Sequence, residues 1–198
     1  MIIPSVTAEI EKWCSRFPWA VRLYSLPYRK VLDREIALAG ITEEDVVLNI
    51  GCGSVPFTAI YITEQTGARV HAVDRDEAAI LCARSCTAAL GLEDQITFEH
   101  APGERTSCRN FTTAVTALQA RPKAAILAHL LRHGSEDVRI IFRNPQPHLH
   151  SQYDLLPETY PFSGEVPQNM QTFVSSVLYT RTQEISEAWC RSVQEAAG

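Results

Sequence analysis

Three features of the chain predict an α/β fold built on one doubly wound, mostly parallel sheet. An apolar run, Val46-Val47-Leu48-Asn49-Ile50, is followed at once by Gly51-Cys52-Gly53. A helical pattern over Phe57 to Gln65 then leads to a second apolar run, Arg69 to Val73, which ends on Asp74. Beyond it, short apolar runs keep alternating with helical patterns as far as Phe142. Strands buried on both faces read as continuous apolar runs, and strand, glycine turn, helix, strand, acid is the first half of a nucleotide-binding unit. The expectation is a single domain over 1–198. It has about six or seven strands, a short helical cap over 1–40 and a proline-rich substrate-side loop over 143–168.

In chain order, residues 5–39 read as helical. Ile10, Trp13, Phe17, Val21 and Tyr24 recur every three to four residues, the spacing of one helix face. Pro18 and Pro27 divide the pattern. From Pro27 to Ala39, Val31, Leu32, Glu35, Ile36 and Leu38 make one stripe, closed by Gly40. This aromatic-rich cap either packs on the sheet edge or forms a lid that brings Tyr24 or Tyr28 to a substrate. After Asp74, Glu77 to Leu90 reads as a helix stopped by Gly91, and Gln95 to His100 as a third strand. Thr113 to Leu118 reads as a fourth strand, Pro122 to His133 as a helix with proline at its start, and Val138 to Phe142 as a fifth strand. Arg143 to Pro167 carries five prolines and reads mostly as loop. Met170 to Tyr179 alternates like an antiparallel edge strand, and Gln183 to Ala197 reads as a terminal helix or frayed tail.

The ligand expected at the glycine turn follows from what that turn can offer. Glycines let the backbone turn tightly and let a ligand approach it without meeting a Cβ. Asp74, about 20 residues on, is placed to accept from ribose hydroxyls. Pro56, however, stands where a dinucleotide-binding G-x-G-x-x-G has its third glycine. A pyrophosphate wants unused N–H groups at that helix start, and proline removes one. The turn therefore suits a nucleoside without phosphates, S-adenosylmethionine (SAM), better than NAD.

Charge and cysteine usage bound the partners. The net charge of −5 and a pI near 5.7 argue against nucleic acid as a partner. There is no apolar run of about 18 residues to span a membrane, and the start, MIIPSVTAEIEKW, turns charged too early for a signal peptide. A cytoplasmic protein with a small-molecule acceptor is expected, with a homodimer left open. Cys14, Cys52, Cys86, Cys108 and Cys190 are scattered, and Cys82 with Cys86 finds no second pair at ligand spacing. Buried thiols are expected, and no metal.

The motif, its position and the strand–helix alternation resemble the class I SAM-dependent methyltransferase family over about residues 30–143. By that resemblance, Asn49, Gly51, Cys52 and Gly53 meet the methionine end of SAM, with Asn49 replacing the family's acid. Asp74 with Arg75 takes the ribose end. His100 and Ala101 fall where the family places an acid against the adenine amine. The runs AVDRDEAAI and LGLEDQITFEHAPGE resemble the small corrin-ring methyltransferases. IGCGSVPFTAIYI and PKAAILAHLLRHGSEDVRIIFRN resemble nicotianamine-synthase-like enzymes, which transfer the aminocarboxypropyl arm of SAM.

Catalytic candidates are Tyr24 and Tyr28 from the cap, Arg143 as a fork for a substrate carboxylate, and His148 as a base. His148 and His150 would point the same way in an extended loop. Methyl transfer to a small molecule is the leading expectation. Aminocarboxypropyl transfer comes second, and a non-catalytic Rossmann-like binding or assembly protein third.

Overall fold

The computed structural model describes residues 26–157 and 160–181. The cap helices expected before residue 26, Tyr24 among them, lie outside the described residues, as do Cys14, Cys190 and the expected helix over 183–197.

Seven strands form one mixed sheet: β1 Val46–Ile50, β2 Arg69–Asp74, β3 Ile96–His100, β4 Thr113–Thr116, β5 Arg139–Pro145, β6 Gly164–Pro167 and β7 Phe173–Thr180. Their order is β3-β2-β1-β4-β5-β7-β6. The first five are parallel, and β7 runs antiparallel to both β5 and β6. Four helices are described: α1 Leu26–Ala39, α2 Phe57–Thr66, α3 Glu77–Ala88 and α4 Lys123–His133.

The sequence pattern explains how the two layers divide. Val47 of β1 joins Ala59, Ile60 and Ile62 of α2 and Ile80 and Ala83 of α3 in one core. Leu48 and Ile50, on the opposite face by strand alternation, join Ile126, Leu127, Leu130 and Leu131 of α4. Local signals set the helix ends. Gly67 closes α2 with φ +78°, and the Asp76 side chain caps α3 by accepting from the Ala78 amide at 3.0 Å.

Two elements differ from expectation. The segment after β5 is not all loop, because Gly164–Pro167 pairs with β7 from Gly164↔Leu178 to Pro167↔Ser175. An edge strand needs hydrogen bonds on one side only, so a proline at its end is tolerated. Pro147–Leu149 is a 3₁₀ turn, so His148 and His150 do not share a face as they would in an extended loop. Both side chains are exposed.

Candidate functional site

The sheet order places the site. Between β1 and β4 the strand order reverses, and a crevice opens outside the carboxyl ends of strands at such a point. A cleft is found there. Ile50, Val73 and Ile126 make its apolar floor, Gly51 and Asp74 one side, and Gln119, Ala120 and Arg121 the other. Arg75, Ala101 and Gly103 complete its rim.

The glycine turn is tied to the end of β2. The Gly51 and Cys52 amides donate to the Val73 carbonyl at 2.8 and 3.2 Å. The Gly53 amide donates to Asp74 Oδ2 at 2.8 Å, and the Asp76 amide to Asp74 Oδ1 at 3.0 Å. Each carboxylate oxygen thus holds one backbone N–H and keeps acceptor capacity for a ligand. Asp74 organises the turn as well as facing the cleft.

The two glycines have different reasons. Both sit at positive φ, +79° and +66°. A Cβ on Gly51 would lie 3.1 Å from the Ala117 Cβ, whereas a Cβ on Gly53 would meet nothing within 4 Å. Gly51 is needed for the turn and for the close approach of β4, while Gly53 leaves open space over the backbone.

The remaining expected cofactor residues divide. Arg75 and Ala101 line the cleft, and the Arg75 side chain reaches across to donate to the Arg121 carbonyl at 2.6 Å. His100 is exposed and not among the lining residues. Its Nε2–H donates to the Arg75 carbonyl at 3.0 Å, so that ring nitrogen is engaged by the backbone of a rim residue. Cys52 is buried, and burial, aided by the Asp74 charge, pushes its thiol up to about 12. It is a packed thiol whose surroundings disfavour the thiolate. Asn49 lies under the turn, 1% exposed. Its Nδ2 donates to the Val115 carbonyl at 3.1 Å, and its Oδ1 is buried without a partner.

Beside the cleft, the ends of β5 and β7 meet α1. Arg143 does not present an open fork. Its Nε and Nη2 donate to the two oxygens of Glu35, each at 2.9 Å, with Thr58 Oγ1 at 3.4 Å from Nη2. The Phe173 ring lies under the guanidinium, 5.6 Å from Cζ to the centroid. Ser176 Oγ adds a bond to Glu35 Oε1 at 2.7 Å, and Gln168 Nε2 donates to Ser176 Oγ at 3.1 Å. Burial works against the Arg143 charge. The Glu35 carboxylate, its hydrogen bonds and the nearby Tyr28 outweigh burial and hold the guanidinium's pKa above its ordinary value. The expected substrate clamp is thus an internal ion pair. The sequence shows one half of it, an acid inside the apolar stripe of α1 four residues from Val31; which cation it meets is set by the packing.

Tyr28 is half-buried beside this pair. With Tyr153 and Met170 it covers Val31, Leu118 and Phe173, a partly aromatic wall next to the post-β4 turn. His148 is exposed on the 3₁₀ turn. Among the described residues, no group of three or more histidine, cysteine or carboxylate side chains is placed to hold a metal ion. Gln119, Ala120, Arg121, Gly103 and Ile126 were not singled out from the sequence. The switch-point rule would have found the first three, since they follow β4 where the strand order reverses.

Comparison with known proteins gives this geometry its relatives. No family model matches the chain. It is 32% identical over 120 residues to the L-histidine 2-aminobutanoyltransferase of Yersinia pestis, a match over 61% of this chain and 45% of that protein. It is 31% identical over 111 residues to the enzyme of that name from Pseudomonas aeruginosa, over 56% and 42%. The chain thus spans about half the length of the curated relatives it matches. The nicotianamine synthase MtNAS, solved with MTA and tNA, superposes with a TM-score of 0.77 at 20% identity, over 90% of this chain and 70% of that one. An RNA methyltransferase from Salinibacter ruber, solved with S-adenosyl-L-homocysteine, superposes with a TM-score of 0.66 at 19% identity, over 80% and 94%. With β7 antiparallel between β5 and β6 and a glycine turn after β1, the chain has the class I SAM-dependent methyltransferase fold.

Proposed function

We propose that the chain is a SAM-dependent transferase, and that the group it moves is the aminocarboxypropyl arm of SAM, delivered to the amine of a small molecule. The observation that carries the first part is the turn itself: open space over Gly53, a half-buried Asp74 with spare acceptor capacity, and the orphaned Oδ1 of Asn49 nearby. These fit an adenosyl ligand with an ammonium-bearing tail. Asp74 would take the ribose hydroxyls, Ala101, Gly103 and Ile126 would face the base, and Asn49 Oδ1 would accept from the ammonium.

Bound SAM supplies a carbon beside a sulfonium, with a neutral thioether as leaving group. The protein's task is then positional. The wall of Tyr28, Tyr153 and Met170 excludes water and aims the acceptor amine at one of the carbons on sulfur. The amine must arrive uncharged, and the Tyr28 and Tyr153 hydroxyls are the polar side-chain groups of that wall. Preference for the arm over the methyl rests on the similarity to the 2-aminobutanoyltransferases, which favours the second of the sequence-based expectations over the first.

The products separate the readings. Purified protein incubated with SAM and L-histidine, the acceptor named for those relatives, is expected to release methylthioadenosine. S-adenosylhomocysteine would establish methyl transfer instead. If calorimetry detected no S-adenosylhomocysteine binding, transferase activity would give way to a non-catalytic role.

A further inference from the structure

Lys123 is fully buried at the first position of α4, yet it does not line the cleft. The local cap of α4, Pro122, offers no side-chain acceptor. Asp154, 31 residues later, takes that place. Its Oδ2 accepts from the Lys123 amide at 2.9 Å, and its carbonyl accepts from Lys123 Nζ. One residue thus holds both ends of the other. The preceding residue, Tyr153, packs on Val31, Leu118 and Phe173 beside Tyr28. The segment is anchored at its other end by Gln146, whose amide donates to the Thr172 carbonyl at 3.0 Å and whose Nε2 donates to the Met170 carbonyl at 2.9 Å.

We infer that Lys123 is a positioning residue for the acceptor: through Asp154 it clamps the 146–154 segment to the start of α4 and so holds Tyr153 in the acceptor wall. A buried ammonium is costly. A methionine would fill the same space without that cost, so packing alone does not call for lysine here. The residue is suited to reach a carbonyl on a separate segment. The inference rests on the transferase reading for the word acceptor, and on the Lys123–Asp154 contacts alone for the clamp.

The test compares wild type with Lys123→Met and Lys123→Arg. Amide hydrogen exchange is followed by mass spectrometry over 146–157 and over the glycine turn, S-adenosylhomocysteine affinity by calorimetry, and methylthioadenosine release with L-histidine. In Lys123→Met, exchange is expected to rise over 146–157 and not at 49–56, and S-adenosylhomocysteine affinity to stay unchanged. The KM for L-histidine is expected to rise about tenfold with little change in kcat, the scale of a misplaced binding wall. Lys123→Arg is expected to restore part of each. Unchanged exchange over 146–157 overturns the clamp. Raised exchange with an unchanged KM overturns its role in acceptor positioning. A wild type that binds S-adenosylhomocysteine but does not consume L-histidine refutes the choice of acceptor. The exchange pattern and its rescue by arginine then decide the clamp.

Discussion

Replacing Glu35 with glutamine keeps the shape of the side chain and removes its charge, so it isolates the ion pair with Arg143. In the native protein Glu35 is 1% and Arg143 6% exposed, and the two share two parallel bonds of 2.9 Å. Removing one member of such a pair leaves a charge buried without its counter-ion, which costs about 3–5 kcal/mol. Here the substitution also turns an NH₂ donor towards a guanidinium that has only donors. Thr58 and Phe173 remain, but at 3.4 and 5.6 Å they compensate little. Against a total stability of about 5–15 kcal/mol for a domain of ordinary stability, the loss is large. Urea denaturation at pH 7 is expected to give a lower midpoint at an unchanged slope. The double replacement Glu35→Leu with Arg143→Met is expected to recover most of the loss, because apolar side chains of similar volume repack such sites at little cost. A loss under about 1 kcal/mol for Glu35→Gln, the range of an exposed pair, would refute the burial argument.

Other sites give separate outcomes. Gly53→Ala puts a methyl group into the open space over the turn at φ +66°; about 1–2 kcal/mol of stability should be lost, and S-adenosylhomocysteine binding should weaken by more than that strain explains, as calorimetry would measure. Asp74→Ala removes the acceptor of the Gly53 and Asp76 amides, so nucleoside affinity should fall by about 1–3 kcal/mol; unchanged affinity would separate Asp74 from the ligand. Burial lowers the Lys123 amine to about 8, against the pull of Asp154. The unfolded chain therefore binds more protons than the folded one between pH 8 and 10. Stability should rise with pH across that window by up to about 1.4 kcal/mol per unit, and Lys123→Met should flatten the rise.

Much of the fold was legible because it follows from local patterns. The apolar runs marked β1 to β5, and Gly40, Gly67 and Gly91 marked chain reversals at positive φ. β6 escaped because four residues among prolines carry no periodicity of their own. It exists because β7 offers an edge to pair with. The cleft was half legible. Gly51 and Asp74 were named from the turn and its spacing, and Arg75 and Ala101 from the family resemblance, whereas Arg121 and Gln119 come from a loop whose nearness to β1 depends on strand order. Arg143 and His100 show what spacing leaves out. Each had plausible chemistry for a ligand, and each is engaged by a protein group that spacing cannot reveal, Glu35 of α1 and the Arg75 carbonyl.

The sequence by itself determined where the glycine turn and its acid would meet, since strand, glycine turn and acid are contiguous and their geometry is local. The tertiary structure decided how the other side is built. Glu35 meets Arg143 across 108 residues, Lys123 meets Asp154 across 31, and Tyr28 meets Tyr153 and Phe173 only once α1 is laid against β5 and β7. Those contacts depend on which buried charge finds a partner when the layers close, a choice made by packing and desolvation and carried by no local pattern.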